Sequence, residues 1–243
     1  MSFIVLDTAD GRGSVALFRN GDLVRLEVHS TDEDYSSWLL PAVHCALKPS
    51  GLSLAQLDGY AVCAGPGSFT GLRVGLTTVK AWSEIYGKPI SAVSRLAALA
   101  ANSPAAPEVM ESFLAACIDA RRGQLFAALY ENSAHGMKPI GEESVISPSE
   151  FVLTVAREAG GRKVRWRTPD PQLLLSLPEW QDAAAGGHIL ETVQPPFADR
   201  LGLLAHRKFL AGDVTDALAL DANYVRRSDA ELFWKDNRTA VKP

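Results

Sequence analysis

The amino-acid sequence predicts an α/β protein of two lobes, each built on a mixed β-sheet that opens with antiparallel strands. Three observations favour this class. Asn20-Gly21 lies between two β-type runs, which is the strongest short-range signal of a β-hairpin. Helical and apolar strand patterns then alternate, as they do where parallel strands are linked by helices. After the candidate boundary at Pro104–Pro107, a second hairpin pattern starts the sequence of elements again.

Length and composition set the outer limits. The chain has 243 residues, of which 47% are hydrophobic and 21% charged, and its formal net charge is −4. This composition is typical of a globular protein with a full core, and it excludes a disordered chain or a disulfide miniprotein. The acidic balance argues against a protein that coats nucleic acid by charge alone. The N-terminal apolar run is too short for a signal peptide and no stretch is long enough to span a bilayer, so we expect a cytoplasmic protein without membrane association.

The first lobe is predicted over residues 1–104. Ser30 and Glu33 have the spacing of a capping box, and Pro41 should kink the helix that follows. Gly87 is the expected C-cap of the next long helix. The predicted elements are strands at 3–6, 14–18, 23–28, 59–64 and 89–93, and helices at 31–47, 70–86 and 95–102.

The second, smaller lobe is predicted over residues 105–196. Ser147-Pro148-Ser149-Glu150 is a strong helix start, with serine as N-cap and proline at the first helical position. A helix within 197–212 should rejoin the first lobe, and the tail at 213–243 should be an extended, docked segment. The predicted elements are strands at 112–119, 124–130, 163–167 and 188–192, and helices at 148–158 and 198–210; residues 168–187 show no clear pattern.

Three antiparallel strands followed by helix-linked parallel strands is the ribonuclease H-like plan. Two such units in tandem make the plan of the actin, Hsp70 and sugar-kinase superfamily. A fold of this kind supports many activities, so it gives no function by itself.

A glycine-rich loop joins a buried strand to a helix N-terminus, a place where free N–H groups can bind an anion. Its spacing is neither that of a Walker A loop nor that of GxGxxG. The alternative is a tight turn in which Ser68 or Thr70 is the N-cap. The loop comprises Gly65, Pro66, Gly67, Ser68, Phe69 and Thr70.

The helix after this loop carries Gly71, Gly75 and Thr78 on one face. Glycine inside a helix costs roughly 1 kcal/mol relative to alanine, so we expect a packing reason for the stripe. Small residues allow another helix to approach closely. That helix is either the one predicted at 31–47 or a helix of another subunit.

Other polar residues give weaker indications. Asp7-Thr8 follows the first strand, where this superfamily places its first phosphate loop, and an aspartate there can hold a metal-bound phosphate. The alternative is that both side chains satisfy the backbone of a turn. Arg165 and Arg167 would share one face of a strand, either as a salt-bridged edge or as part of an RNA phosphate track.

Cysteine and histidine usage predicts neither a metal site nor a catalytic residue. Cys45, Cys63 and Cys117 each lie in an apolar run and are expected to be buried. There is no Cys-x-x-Cys motif, and no two of the five histidines have the spacing of a ligand pair.

The string AGPGSFTGLRVGL at 64–76 resembles the signature of the bacterial TsaB (YeaZ) family. Other segments resemble that family in order: FIVLDTADGRGSVAL, LLPAVHCALKPSGLSLAQLD, ISAVSRLAALA, IDARRGQLFAALY and NYVRRSDAE. These segments cover the first 130 residues and the tail, whereas residues 135–195 show no such likeness.

The resemblance implies a non-catalytic subunit that binds and activates TsaD, the enzyme that transfers threonylcarbamoyl to the adenosine beside the anticodon of tRNA. It implies TsaE as a further partner, contact with tRNA through the complex, and a homodimer where TsaD is absent. No cofactor is expected on the isolated chain, while ATP or ADP at the interface of the complex stays open.

The resemblance also implies a docking face on the helices at 31–47 and 70–86. A Gly75→Arg substitution is then expected to abolish partner binding and leave the monomer folded. Tyr35-Ser36 stands where the family often has His-Ser, so this face is altered here. The implied partner-binding residues are Tyr35, Trp38, Leu39, Val43, Gly71, Val74, Gly75 and Thr78.

Three rival functions remain at this point. The first is an ATP-dependent small-molecule kinase or hydrolase of the same superfamily, with Asp7 at its metal site. The second is a glycoprotease, for which the sequence shows no recognisable nucleophile and no metal-ligand pair. The third is a self-associating binding protein.

Overall fold

A computed structural model describes residues 1–30, 34–101, 112–133, 136–223 and 225. Two five-stranded mixed sheets organise these residues, and the predicted two-lobed α/β fold is confirmed. The predicted boundary at residue 104 and the tail from residue 226 lie outside the described residues.

The first sheet has the strand order β3-β2-β1-β4-β5. β1, β2 and β3 pair antiparallel, whereas β1, β4 and β5 pair parallel. Asn20 and Gly21 both have positive φ, 53° and 91°, as the tightest hairpin turn requires. The strands are β1 (Ser2–Asp7), β2 (Ser14–Arg19), β3 (Asp22–Val28), β4 (Gly59–Gly65) and β5 (Ile90–Ser94).

Three helices follow the strands of this sheet: α1 (Tyr35–Leu47), α2 (Phe69–Tyr86) and α3 (Arg95–Ala100). α1 packs on β2 and β3, and α2 packs mainly on β4. The capping box predicted at Ser30 and Glu33 is wrong in its position, because α1 begins after Asp34. Asp34 is the N-cap, and its side chain makes no capping hydrogen bond. Glu33 lies outside the described residues. The Ser94 hydroxyl accepts the N–H of Ala97 and so caps α3.

The second sheet has the order β10-β9-β6-β7-β8 and repeats the topology of the first. β8 is absent from the sequence prediction, since Pro139, Gly141 and several charged residues hide its strand character. Its strands are β6 (Ser112–Arg121), β7 (Gln124–Ser133), β8 (Gly136–Ile146), β9 (Val164–Thr168) and β10 (Ile189–Thr192). The remaining helices are α4 (Pro148–Ala159), α5 (Gln172–Leu175), α6 (Pro178–Ala185) and α7 (Ala198–Leu210).

α7 returns to the first lobe and packs across β1, β2, β4 and β5. Gly202 lets it approach the ring of Phe18, because a Cβ there would collide with that ring. After α7 the chain runs along the outer edge of β5, where Thr215 exchanges two backbone hydrogen bonds of 2.8 and 2.9 Å with Ile90. We call residues 213–223 the C-terminal strap.

Two hydrophobic clusters form the core. The first fills the first lobe and continues through Leu96 and Leu99 of α3 to Leu114 and Tyr130 of the second sheet. The second lies between the second sheet and α4 to α6, around the fully buried Trp166. The lobes therefore share part of one core.

Candidate functional site

The carboxyl ends of β1, β4 and β5 meet at the junction between the lobes, and the loop after β1 lies there. Thr8 is buried in this loop, and its hydroxyl donates a 2.7 Å hydrogen bond to the carbonyl of Gly71. The Asp7 carboxylate is also buried and accepts the N–H of Ala9 at 3.1 Å. The Thr8 hydroxyl and one oxygen of Asp7 therefore bond backbone groups, as the turn interpretation predicts, whereas the second Asp7 oxygen, Oδ2, is buried without such a bond.

Arg95, at the start of α3, is a guanidinium buried in this junction. It forms an ion pair with Asp10 and lies over the ring of Phe197, 5.3 Å from its centroid. Burial lowers the pKa of Arg95, and the negative charge of Asp7 opposes that shift. The arginine thus neutralises carboxylates of the β1–β2 loop.

Cys63, on β4, lies close to the same aspartate. Burial raises its pKa well above the ordinary thiol value, and the charge of Asp7 raises it further. The thiolate is the nucleophilic form of cysteine, and it is strongly disfavoured here. Cys63 therefore behaves as a buried neutral thiol.

The glycine-rich loop is held against the loop after β1. The Ser68 N–H donates to the carbonyl of Ala9 at 2.7 Å, and a Cβ on Gly67 would collide with that same carbonyl. The Ser68 hydroxyl accepts the N–H of Gly71 at 3.3 Å and so caps α2. Of the two interpretations, the turn with Ser68 as N-cap describes this geometry.

The glycine stripe of α2 packs on the same loop and not on a helix. A Cβ at Gly71 would collide with the carbonyl of Thr8, and one at Gly75 would lie 2.5 Å from the Thr8 hydroxyl. The predicted helix–helix contact is therefore wrong for these two glycines. A Gly75→Arg substitution is therefore expected to disturb the packing inside the chain, so a loss of partner binding in that variant would not by itself report on a docking face.

The partner-binding residues predicted on α1 and α2 fall into two groups. Leu39, Val43, Gly71 and Gly75 are buried within the chain itself, so their prediction as surface contacts is corrected. Tyr35, Trp38, Val74 and Thr78 are half-buried, and their role in binding a partner stays a prediction.

Tyr35 and Trp38 are tied to the β1–β2 loop by His29. The imidazole of His29 stacks on Tyr35 with centroids 4.4 Å apart and meets Trp38 edge-on at 4.9 Å. The Tyr35 hydroxyl donates to the Asp10 carbonyl, and His29 Nδ1 lies 3.1 Å from the Gly11 carbonyl oxygen. Tyr35 thus supports the loop from the α1 side.

Sequence reasoning missed Leu40 on the exposed face of α1, and it named Phe69 only as part of the glycine-rich loop. Leu40 is 58% exposed, and Phe69 is 42% exposed with the guanidinium of Arg73 stacked 3.9 Å from its ring centroid. Cys45 is exposed on α1, so its predicted burial is wrong, whereas Cys63 and Cys117 are buried as predicted. A helical wheel of α1 beginning at Tyr35 would have shown Leu40 on the outer face.

Glu143 of β8 is the central polar residue of the lobe junction and was also missed. One carboxylate oxygen accepts the hydroxyls of Ser94 and Tyr130, and the other accepts the Asn223 amide at 2.6 Å. The backbone N–H of Asn223 donates to the Ala64 carbonyl at 2.8 Å. A lone glutamate in an unrecognised strand gives no sequence signal of this role.

The predicted shared face of Arg165 and Arg167 is present, and both guanidiniums bind Glu191 of the neighbouring strand, at 2.5 and 2.8 Å. This is the salt-bridged alternative of the two interpretations. Among the described residues, no group of three His, Cys, Asp or Glu side chains could hold a metal ion. No helix in the described ranges is long and apolar enough to cross a membrane.

Two mixed sheets of identical topology, joined through α3 and closed by α7, define a two-lobed α/β protein. Residues 29–174 match the family described as TsaD: tRNA N6-adenosine threonylcarbamoyltransferase. The chain belongs to that family, in its TsaB (YeaZ) branch.

Three similar proteins place it in this branch. The tRNA threonylcarbamoyladenosine biosynthesis protein TsaB of Bacillus subtilis is 26% identical over 98% of this chain and 100% of its own length. The protein of the same name from Escherichia coli is 29% identical over 68% of this chain and 70% of its own. The structure of YeaZ from Pseudomonas aeruginosa superposes with a TM-score of 0.73 at 26% identity, covering 92% of this chain and 99% of that one.

Proposed function

We propose that this chain is a non-catalytic scaffold subunit that binds TsaD and activates it for threonylcarbamoyl transfer to the adenosine beside the anticodon of tRNA. The names of the two TsaB relatives support a place in this biosynthesis. One observation carries the non-catalytic role: hydrogen bonds from the chain's own side chains to Glu143 bridge the junction between the lobes. Clefts between lobes are where ligands usually bind, so a junction bridged in this way favours a binding subunit over an enzyme.

The charges at the junction support the same conclusion. Asp7, Asp10 and Glu143 place three carboxylates near the ends of β1 and β5, and Arg95 is already paired with Asp10. A phosphate brought there would meet repulsion in a medium of low dielectric constant. The isolated chain is therefore expected not to bind ATP tightly, and ATP or ADP, if used, would lie at the interface of the complex.

The exposed face of α1 and the start of α2 is the surface we assign to the partner. Leu40, Phe69 and Arg73 provide an apolar and cationic contact area of the kind enriched in interfaces. The half-buried Trp38 and Val74 belong to the same two helices, which contact one another. The same face would serve a homodimer when TsaD is absent, and the complex would bring in TsaE and tRNA in the cytoplasm.

Reconstitution tests the function. This chain is combined with TsaD from the same organism, with and without TsaE, and threonylcarbamoyl transfer to tRNA is measured. The scaffold role requires TsaD to be inactive alone and active with this chain. A TsaD that neither binds the chain nor gains activity from it would overturn the proposal.

The docking face is tested with a matched pair of variants. Leu40→Glu should weaken TsaD binding at least about tenfold, because it places a charge in an apolar contact. Leu153→Glu is the control, since Leu153 is equally exposed, 58%, but lies on α4 of the other lobe. Equal loss of binding in both variants would contradict the assignment of the face.

A nucleotide titration separates the main rival. Tight, magnesium-dependent ATP binding by the isolated chain, lost on Asp7→Asn, would favour an ATP-dependent small-molecule kinase or hydrolase. Calorimetry on the full chain measures it, and the scaffold proposal expects no saturable heat at micromolar protein.

A further inference from the structure

The helix α3 lies between the two lobes, and the second lobe grips both of its ends. At the N-terminal end, the Ser94 hydroxyl that caps α3 also donates to Glu143 of β8. At the C-terminal end, Arg167 of β9 donates a 2.5 Å hydrogen bond to the carbonyl of Ala100. We call Ser94, Ala100, Glu143 and Arg167 the α3 clamp.

We propose that the α3 clamp locks the two lobes of the free chain in a single relative orientation, so that the protein works without the lobe closure that two-lobed enzymes use. In such enzymes a hinge lets the lobes close around a ligand. Here the groups that a hinge motion would have to separate are bonded to one another. The inference concerns the chain itself and does not depend on the proposed partner.

The hydrogen bonds of the α3 clamp are charge-assisted and therefore strong. Each involves a charged group, Glu143 or Arg167, and such hydrogen bonds are roughly twice as strong as neutral ones. Tyr130 and Arg167 are 3% and 7% exposed, so water competes little for them. Burial and the charge of Glu143 raise the pKa of Tyr130, which keeps its hydroxyl protonated and able to donate.

The C-terminal strap adds a third connection. Asn223 donates its backbone N–H to Ala64 of the first lobe and its side-chain amide to Glu143 of the second. Glu143 thus joins β8, β7, the α3 cap and the strap through one carboxylate. A glutamine in place of this carboxylate would leave one acceptor oxygen for three buried or half-buried donors, which costs more than the net worth of any one bond.

The hydrophobic core supports the same conclusion independently. Leu96 and Leu99 of α3 are fully buried and belong to one cluster with Leu114, Ala116 and Ile118 of β6. Lobes move relative to one another by default, unless their interface is large and hydrophobic. An interface that is part of the core itself opposes such motion.

Distance measurement between the lobes tests the lock. Spin labels are attached to the exposed native Cys45 on α1 and to an Ala156→Cys substitution at an exposed position of α4; Cys63 and Cys117 are buried and should not react. The full-length labelled chain, diluted in an excess of unlabelled chain so that distances between two copies do not contribute, should give one narrow distance distribution that saturating magnesium–ATP leaves unchanged. A broad or two-peaked distribution would overturn the proposal.

Variants separate the clamp from general rigidity. Glu143→Gln combined with Arg167→Gln should broaden the distribution and speed amide exchange of α3 about tenfold, whereas the neighbouring exposed Glu142→Gln should change neither. If the double variant does not fold, Glu143→Gln alone is measured in the same way. A folded clamp variant with the native distribution and native exchange would contradict the role of these residues.

Discussion

The two lobes have the same sheet topology but treat their loops differently. In the first lobe, six residues connect β1 to β2, and the loop between β4 and β5 supports the 18-residue α2. In the second, β6 turns into β7 through a tight hairpin with positive φ at Arg121, Arg122 and Gly123, and two short helices replace α2. The two lobes therefore share one topology but differ in their connections. In the first lobe the connections are long and pack on each other, whereas in the second they are a tight hairpin and two short helices.

The difference between the loops of the two lobes indicates which lobe carries the candidate function. The exposed apolar residues that we assign to the partner lie on α1 and α2 of the first lobe. The second lobe contributes Glu143 and Arg167, which reach across to α3. In our proposals, the second lobe therefore fixes the first lobe, and the first lobe presents the docking face.

The largest effects are expected from removing matched core residues, one in each lobe. Trp166→Ala and Phe18→Ala should each lower the free energy of unfolding by about 3–5 kcal/mol, because both side chains are fully buried. Since the lobes share a core, both variants should keep one cooperative transition in urea. Two separate unfolding transitions would contradict the shared core, because they would show that the lobes unfold independently.

Gly71→Ala should cost about 1–3 kcal/mol or more, because its Cβ would collide with the Thr8 carbonyl in the packed loops of the first lobe. Gly11→Ala is the control, since a Cβ there meets nothing within 4 Å. Denaturant unfolding of both variants measures the difference. Equal stability of the two would contradict the role of the close contact.

Matched helix caps give a smaller effect. Ser68 in the first lobe and Ser147 in the second each accept a backbone N–H at 3.3 Å, from Gly71 and Glu150. Replacing either serine with alanine should cost about 1 kcal/mol. A clearly larger loss at Ser68, seen in thermal unfolding, would indicate that this cap also holds the glycine-rich loop in place.

The smallest effect is a pH dependence confined to the second lobe. Burial lowers the pKa of His188 from its usual 6.5, and its Nδ1 accepts the Trp166 N–H at 3.1 Å. His188 therefore binds a proton more readily in the unfolded chain than in the folded one. The contribution of neutral His188 to folding stability is complete above pH 6.5 and is lost as the pH falls below that value. His188→Gln should remove that step from a plot of melting temperature against pH, and an unchanged plot would count against it.

Glu191 makes the stability of the protein depend on pH in a more acidic range. Burial alone would raise its pKa, but hydrogen bonds from Arg167 and Arg165 hold the pKa below its usual 4.5. Its stabilisation is present above that value and is lost as the pH falls through the lowered pKa. The stability gap between the native chain and Glu191→Gln should therefore close in acid, as measured by thermal unfolding, and a gap independent of pH would contradict this.

The sequence predicted elements with strong local signals and failed where the signal was tertiary. The Asn20-Gly21 hairpin and the Ser147-Pro148 helix start depend on backbone preferences of neighbouring residues, so they were found. The glycine stripe of α2 indicated a close contact but not its partner, because spacing says nothing about what lies opposite. Glu143 could not be found, since its role exists only when four distant segments meet.

The C-terminal strap has a consequence for solubility. β5 is the last strand of its sheet, and Thr215 occupies the backbone N–H and C=O of Ile90 at that margin. A chain ending before Asp213 would leave these groups open to strands of other molecules, the usual start of edge-to-edge aggregation. By pairing with Ile90, Thr215 of the strap thus also guards this edge of the sheet against pairing with other molecules.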